Sequence, residues 1–294
     1  MMALVGPTAS GKTEVAIQIA RHHAAEVLSV DSMQVYRGMD IGTAKPSILE
    51  RDGVVHHMID IVEPEAEFSV AEFRAEARRL IAERETPIVI AGGSGLHFRA
   101  VVDPMSFAPT DPVLRSELES SEPGFLRSEL LRADPDASDH VDLENPRRLV
   151  RAIEILRLTG ETASQRANSE EARRVRRYES EIEFTAVGLD PGERLGERVS
   201  DRVAAMRSGG LLDEVSGLAS RLGRTARAAV GYRELLPVLA GEREAEEAFE
   251  AVGRNTMRLA KKQRTWFQRD PRIRWIPWHD DPGDRVERVI EALR

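Results

Sequence analysis

Short apolar runs alternate along this chain with longer segments of helical period. The runs MMALV, EVLSVDS, HMIDIV and TPIVIAGGSG, each bounded by turn residues, have the form of buried strands. Between the last two, SVAEFRAEARRLIAERE opens with a capping box of Ser69 and Glu72 and keeps Phe73, Ala77 and Leu80 on one face. Strands that alternate with helices predict a parallel sheet with helices on both faces, whose ligands gather at the carboxyl ends of the strands.

The pattern then changes to charged helical segments such as DPVLRSELESS and NPRRLVRAIEILRLTG, with no clear strand. We predict a helical insertion domain at residues 112–185 within a core made of residues 1–111 and 186–294. Strand character returns at IEFTAVGLD, and several helices follow, including a long one from about Glu242 to about Gln268. We expect RIRWIPW to add a last strand to the sheet.

The glycine-rich stretch GPTASGKT, from Gly6 to Thr13, fits G-x-x-x-x-G-K-[ST]. It lies between a predicted strand and a predicted helix, the context in which backbone N–H groups and the helix dipole hold a phosphate. Lys12 would bind the terminal phosphate oxygens, and the Thr13 hydroxyl would bind Mg²⁺. The predicted fold class is α/β, a P-loop kinase-like parallel sheet flanked by helices, and we expect the loop, Asp31 and Ser94 to converge.

Composition narrows the function without fixing it. The 294 residues are 41% hydrophobic, enough for one large or two modest domains, and contain no cysteine, which excludes disulfides and thiolate-held metals. With no leader and no long apolar run, we expect a cytoplasmic protein that does not bind membranes. The net charge of −8 argues against coating nucleic acid through bulk charge.

One local stretch has the opposite charge. RNTMRLAKKQRTWFQRDPRIR holds eight Lys or Arg residues against one acid, Asp270, with Trp266 and Phe267 among them. Basic residues interleaved with aromatic ones are typical of RNA sites that bind phosphates and splayed bases. The same charges also complement the carboxyl end of a helix dipole, so both interpretations stay open.

Several motifs in order resemble the bacterial tRNA dimethylallyltransferases over nearly the whole chain. They are GPTASGKT, SVDSMQVYRGMDIGTAKP, HHMIDI, AGGSGLHFRA, NPRRLVRAIEI, VGYREL and RLAKKQRTWF. The resemblance implies transfer of a dimethylallyl group from dimethylallyl pyrophosphate to the exocyclic N6 amine of the adenosine 3′-adjacent to the anticodon of tRNA. Pyrophosphate would leave, with Mg²⁺ as cofactor and the tRNA anticodon stem-loop as partner. We expect a monomer.

The resemblance also implies roles for individual residues. Asp31 looks like the general base, with Thr8 and Arg202 as further catalytic residues. The pyrophosphate would be bound by Gly6, Pro7, Thr8, Ala9, Ser10, Gly11, Lys12, Thr13 and Arg198, and Thr13 would hold the metal. The tRNA would be contacted by Asp31, Ser32, Met33, Gln34, Ser94, Arg115, Arg147, Arg148, Arg151, Gly231, Tyr232, Arg233, Lys261, Lys262 and Arg264.

Two points limit this assignment. Ala228 stands where related chains often have Gln or Arg, so a contact there is lost or replaced. Helical spacing cannot place Lys261, Lys262 and Arg264 on one side, so we expect two of them to contact RNA.

Two other classes of protein share the loop. A P-loop kinase of a small metabolite would consume ATP, and a nucleotide-dependent RNA-binding protein would carry out no chemistry.

Overall fold

The computed structural model describes residues 1–293 and divides the chain into two compact units. One unit is Met1–Val102 together with the chain from Ile182 onward, and the other is Asp103–Glu181. Both boundaries of the second unit therefore lie earlier in the chain than those of the insertion predicted at residues 112–185. Thr185 is the first residue of a core strand, which explains the shift of the second boundary.

The first unit is built on one sheet of six parallel strands in the order β3-β2-β4-β1-β5-β6. The strands are β1 (Met2–Val5), β2 (Glu26–Ser29), β3 (His56–His57), β4 (Ile88–Gly92), β5 (Thr185–Leu189) and β6 (Ile273–Ile276). Register is continuous across the centre, where Val5 of β1 pairs with Gly92 of β4 and Gly188 of β5. The α/β fold class and the closing strand β6 are confirmed.

The helices of this unit are α1 (Lys12–His22), α2 (Ile48–Arg51), α3 (Val70–Glu83), α4 (Gly95–Val102), α10 (Leu195–Ser208), α11 (Leu211–Leu218), α12 (Arg224–Arg227), α13 (Tyr232–Leu239), α14 (Ala245–Gln268) and α15 (Pro282–Leu293). A 3₁₀ turn at Gly192–Arg194 precedes α10. α1 and α15 bury residues such as Val15 and Val289 on one face of the sheet. The other face carries the larger core, with Phe73 and Phe267.

Local sequence accounts for most of these elements, and α3 is an example. Ser69 accepts a hydrogen bond from the backbone of Glu72 while the Glu72 carboxylate accepts one from the Ser69 amide, as the capping box predicts. The predicted strand HMIDIV is wrong beyond its first residue. Met58 and Asp60 adopt φ angles of +61° and +57°, which interrupt an extended strand.

The second unit contains helices joined by turns and loops, and none of its described residues lies in a strand. It contains α5 (Pro112–Glu119), α6 (Pro123–Ala133), α7 (Pro146–Thr159), α8 (Ala163–Ala167) and α9 (Glu170–Arg176), with a 3₁₀ turn at Ala137–Asp139. Leu118, Leu130 and Ile153 belong to its own small apolar core. None of the described helices in the chain is both long and apolar enough to cross a membrane.

Candidate active site

The glycine loop connects β1 to α1 and packs closely against β5. A Cβ atom at Gly6 would lie 2.2 Å from the carbonyl oxygen of Leu189, so only glycine allows this approach. Gly11 caps α1 with φ of +77°, a left-handed conformation that glycine adopts readily. The sequence motif therefore forms the strand, loop and helix that a phosphate-binding loop requires.

Lys12 begins α1 and turns back over the loop. Its Nζ donates a hydrogen bond of 3.1 Å to the carbonyl oxygen of Pro7. Burial, and next the positive charge of Arg202, lower the pKa of Lys12 to about 8, while Asp31 acts in the opposite direction. Thr13, the next residue, is exposed on the first turn of α1.

Asp31 follows β2 and lies beside the loop, as the parallel sheet predicts. It lines a small cavity of about 40 Å³ together with Thr8, Lys12 and Arg202. Its Oδ1 accepts a hydrogen bond of 2.9 Å from the backbone amide of Met33, which fixes the orientation of the carboxylate. One carboxylate and two cations therefore meet at the carboxyl edge of the sheet.

Arg198 and Arg202 lie one turn apart on α10, and both reach this edge. The Nε of Arg198 donates a hydrogen bond of 2.6 Å to the carbonyl oxygen of Ala9 in the loop. Burial lowers the pKa of Arg202, against the attraction of Asp31. Both arginines, with Gly11 and Lys12, line an open cavity of about 1120 Å³. Three cationic side chains and the glycine loop thus line a space large enough for a diphosphate ester.

Ser10 completes the loop with a buried hydroxyl. It is 1% exposed, and its Oγ has no hydrogen-bond partner among the described residues. Unpartnered buried polar atoms are uncommon in folded proteins and call for an explanation. An anion held by the loop would supply an acceptor for this hydroxyl.

Two residues that brace the site were not predicted from the sequence. The Oε1 of Gln263 on α14 accepts a 2.8 Å hydrogen bond from the backbone amide of Thr8. Glu214 on α11 accepts four hydrogen bonds, from the backbone amides of residues 40, 41 and 42 and from the hydroxyl of Tyr232. Gln263 lies in a segment that carries the family resemblance, whereas no local pattern marks Glu214.

The residues proposed to surround the target base differ in accessibility. Ser32 and Met33 are partly exposed, while Gln34 is 8% exposed and accepts a hydrogen bond from Ser29. Ser94 joins the edge through its amide, which donates to the carbonyl oxygen of Val30. Its Oγ lies 2.7 Å from Nδ1 of His97, a buried ring. Burial lowers the pKa of His97 to about 4, so the ring is neutral at pH 7. The predicted convergence of the loop, Asp31 and Ser94 is confirmed.

The VGYREL segment serves chiefly to build the core. The Tyr232 side chain is fully buried and donates a hydrogen bond to Glu214, so it supports the core, and its contact with tRNA stays a prediction. Gly231 adopts φ of +100° and donates its amide to Glu234. Arg233 pairs with the same carboxylate at 2.5 Å and keeps about half of its side chain exposed.

The basic side chains near the carboxyl end of α14 differ in exposure and in hydrogen bonding. Lys261 and Lys262 are exposed. Arg264 donates a 2.5 Å hydrogen bond to Asp190 and another to the carbonyl oxygen of Gly192, which makes it a structural contact. The expectation that only two of the three face RNA therefore points to the lysines.

The four arginines of the helical unit that were predicted to contact tRNA also differ in their environments. Arg115 and Arg151 both donate to Glu154, a fully buried carboxylate, each at 2.5 Å. Arg147 and Arg148 are exposed near the start of α7. Arg148 lies 3.6 Å from the Asp142 carboxylate in an exposed ion pair. Arg115 and Arg151, in contrast, hold this unit together through the buried Glu154.

No group of three or more His, Asp or Glu side chains is arranged to hold a metal within residues 1–293. Mg²⁺ bound at a phosphate loop needs few protein ligands, because it keeps several waters and binds substrate phosphates. The exposed Thr13 hydroxyl beside Lys12 fits that mode of binding.

Comparisons with known proteins agree with this geometry. The family model described as IPP transferase matches residues 34–270. A tRNA dimethylallyltransferase of Moorella thermoacetica is 43% identical, with 100% of this chain and 93% of that protein aligned. The crystal structure of a tRNA isopentenylpyrophosphate transferase from Bacillus halodurans is 37% identical, with a TM-score of 0.72 over 99% of this chain and 94% of that one. A eukaryotic dimethylallyltransferase acting on tRNA has the same fold, with a TM-score of 0.81 at 24% identity over 97% of this chain and 77% of that one.

Proposed function

The chain belongs to the IPP transferase family, and we propose that it transfers a dimethylallyl group from dimethylallyl pyrophosphate to tRNA. The acceptor is the N6 amine of the adenosine 3′-adjacent to the anticodon. The observation that carries this proposal is the position of Asp31, a carboxylate that shares a cavity with Thr8, Lys12 and Arg202. The relatives are named for the same reaction.

The reaction asks two things of the protein. The bond between the prenyl carbon and the pyrophosphate oxygen breaks, and its electron pair leaves with the pyrophosphate. The new bond forms from the adenine nitrogen, which must lose a proton because its lone pair is delocalised into the ring. Negative charge therefore grows at the glycine loop while a proton is released beside it.

The loop meets the first demand. Its amides, Lys12 and Arg202 offer positive charge to the departing oxygen, and preorganised charges of this kind lower the barrier most when water is excluded. The bond from the Thr8 amide to Gln263 holds the loop in shape before substrate binds. Mg²⁺ held by Thr13 would neutralise further charge on the pyrophosphate.

Asp31 meets the second demand. Oδ1 is occupied by the Met33 amide, which leaves Oδ2 to accept the proton from the adenine amine. The adenosine has to leave the anticodon-loop stack to reach this enclosed carboxylate. Ser32 and Met33 follow Asp31 in the chain, and the Ser94 amide donates to the neighbouring Val30, so these residues would surround such a base.

The exposed basic side chains supply the remaining contacts with RNA. Lys261 and Lys262 on α14 and Arg147 on α7 are exposed and would contact phosphates of the anticodon stem-loop. Arg148 would do so by exchanging its exposed ion pair with Asp142 for a phosphate. We propose a monomeric, cytoplasmic enzyme. Light scattering of the purified protein with and without tRNA tests the monomeric state.

The test of function is transfer of radiolabel from dimethylallyl pyrophosphate to unmodified tRNA with Mg²⁺ present. We expect labelled RNA and release of one pyrophosphate for each group transferred. A tRNA whose target adenosine is replaced by guanosine is the matched control and should stay unlabelled. Hydrolysis of ATP that depends on a small metabolite, without labelled RNA, would instead indicate a kinase.

A further inference from the structure

Trp278, which follows β6, lies close to two arginine side chains. The guanidinium carbon of Arg198 is 4.9 Å from the centre of the indole ring, and that of Arg285 is 4.6 Å away. Both distances lie within the range of cation–π attraction. Arg198 comes from α10 and Arg285 from α15, so the indole joins two elements that are distant in sequence.

This stack lies against the glycine loop. The position that a Cβ atom at Gly11 would occupy is 3.3 Å from Nη2 of Arg198, 3.6 Å from Cη2 of Trp278 and 3.7 Å from Nη2 of Arg285. Gly11 directly precedes Lys12. Three side chains therefore converge at the residue where the phosphate loop enters α1.

The positive charges in this cluster are balanced only in part, by the ion pair between Arg285 and Glu14. Arg285 is 3% exposed, and its Nη1 donates to the carbonyl oxygens of His279 and Asp280. Its Nε is buried without a partner among the described residues, and the carboxylate of Glu14 lies 3.6 Å from its Nη2. Burial, and next the charge of Arg285, lower the pKa of Arg198. Two guanidinium groups held this close favour an anion nearby.

We propose that Trp278 and Arg285 are positioning residues of the donor site, which hold the Arg198 guanidinium against the glycine loop ready for the pyrophosphate. An arginine side chain loses considerable rotamer freedom when it binds a ligand, and stacking fixes the planar group in advance. The hydrogen bond from Arg198 to Ala9 fixes the other end of the same group. This inference rests on the proposed function for the identity of the anion.

The test measures binding of inorganic pyrophosphate with Mg²⁺ to the full chain by calorimetry, without tRNA. Loss of both cation–π contacts in Trp278→Leu should weaken binding about 5- to 30-fold and raise the KM for the prenyl donor similarly. The KM for tRNA should stay within about twofold of the wild type. Trp278→Phe retains an aromatic face and should recover most of the affinity. Trp266→Leu is the matched control and should bind pyrophosphate normally.

Two results would overturn the inference. One is normal pyrophosphate affinity in Trp278→Leu. The other is an equal loss in the Leu and Phe variants that follows a fall in Tm, which indicates packing alone. A wild-type protein that binds pyrophosphate but labels no tRNA contradicts the proposed function instead, and leaves the positioning role standing.

Discussion

Glu214 should be among the most important side chains for both stability and activity, although it touches no substrate in the proposed mechanism. Its carboxylate accepts hydrogen bonds of 2.9, 2.7 and 2.9 Å from the amides of residues 40, 41 and 42, and one of 2.5 Å from Tyr232. The next residue, Thr43, offers its carbonyl oxygen to Arg202 at 3.4 Å. Glu214→Ala therefore removes the support of a loop that contacts Arg202, an arginine with a proposed catalytic role.

The magnitude follows from what loses its partner. Hydrogen bonds to a charged group contribute about 1.5–3 kcal/mol each, and a buried donor left unpaired costs about 1–3 kcal/mol. The amide of Asp40 is exposed and can form a hydrogen bond with water in the variant. The buried Tyr232 hydroxyl and the amides of residues 41 and 42 recover fewer hydrogen bonds from water. We expect Glu214→Ala to lower the free energy of unfolding by about 3–5 kcal/mol. This is less than the sum of the four separate hydrogen-bond contributions, because these bonds are not independent.

Urea denaturation followed by tryptophan fluorescence measures this loss. Glu250→Ala is the matched control, because Glu250 makes an exposed ion pair with Arg254 and should cost less than about 1 kcal/mol. At a temperature where Glu214→Ala is still folded, its rate of prenyl transfer should also fall. A loss of stability below about 1 kcal/mol in Glu214→Ala, equal to that of the control, would refute the reasoning.

The other predictions concern the site directly. Asp31→Asn keeps the hydrogen bond from the Met33 amide but cannot accept the proton. The rate of single-turnover transfer should therefore fall about 10²- to 10⁴-fold, while pyrophosphate binding is retained. A rate near that of the wild type would remove Asp31 from the mechanism. Lys12 is proposed to bind the anion in its charged form, and its pKa is about 8. Pyrophosphate affinity should therefore be highest below pH 8 and fall above it, whereas Lys12→Met should show no such fall. Lys261→Met and Lys262→Met should each reduce the magnitude of the slope of log K for tRNA binding against log salt concentration by somewhat less than one unit. Arg264→Met should leave this slope unchanged, because Arg264 is paired with Asp190. Unchanged slopes in both lysine variants would place the RNA surface elsewhere.

Local sequence predicted the elements whose causes are local. The glycine loop and α3 carry their own signals, in the spacing of glycines and in the capping box. The strand predicted at HMIDIV failed because Asp60 is held by Lys45 from an earlier segment, at 2.6 Å, in a backbone conformation that the apolar pattern does not show. Contacts between distant segments override a local pattern in such places.

The candidate site shows the same division. Lys12 and Asp31 could be predicted because both follow strands, and parallel strands end at one edge. Arg264 could not be distinguished from its lysine neighbours, since its partner Asp190 is far away in sequence. The role of Trp278 was likewise beyond prediction, because the two arginines beside its ring come from separate helices.

Mass spectrometry of nucleosides and of ribonuclease fragments tests the proposed prenylation most directly, with unmodified tRNA incubated with the protein, dimethylallyl pyrophosphate and Mg²⁺. We expect one N6-dimethylallyl adenosine per acceptor tRNA, located immediately 3′ of the anticodon, and almost none with Asp31→Asn in the same time. Unmodified adenosine at that position after incubation with folded protein that binds both substrates would contradict it.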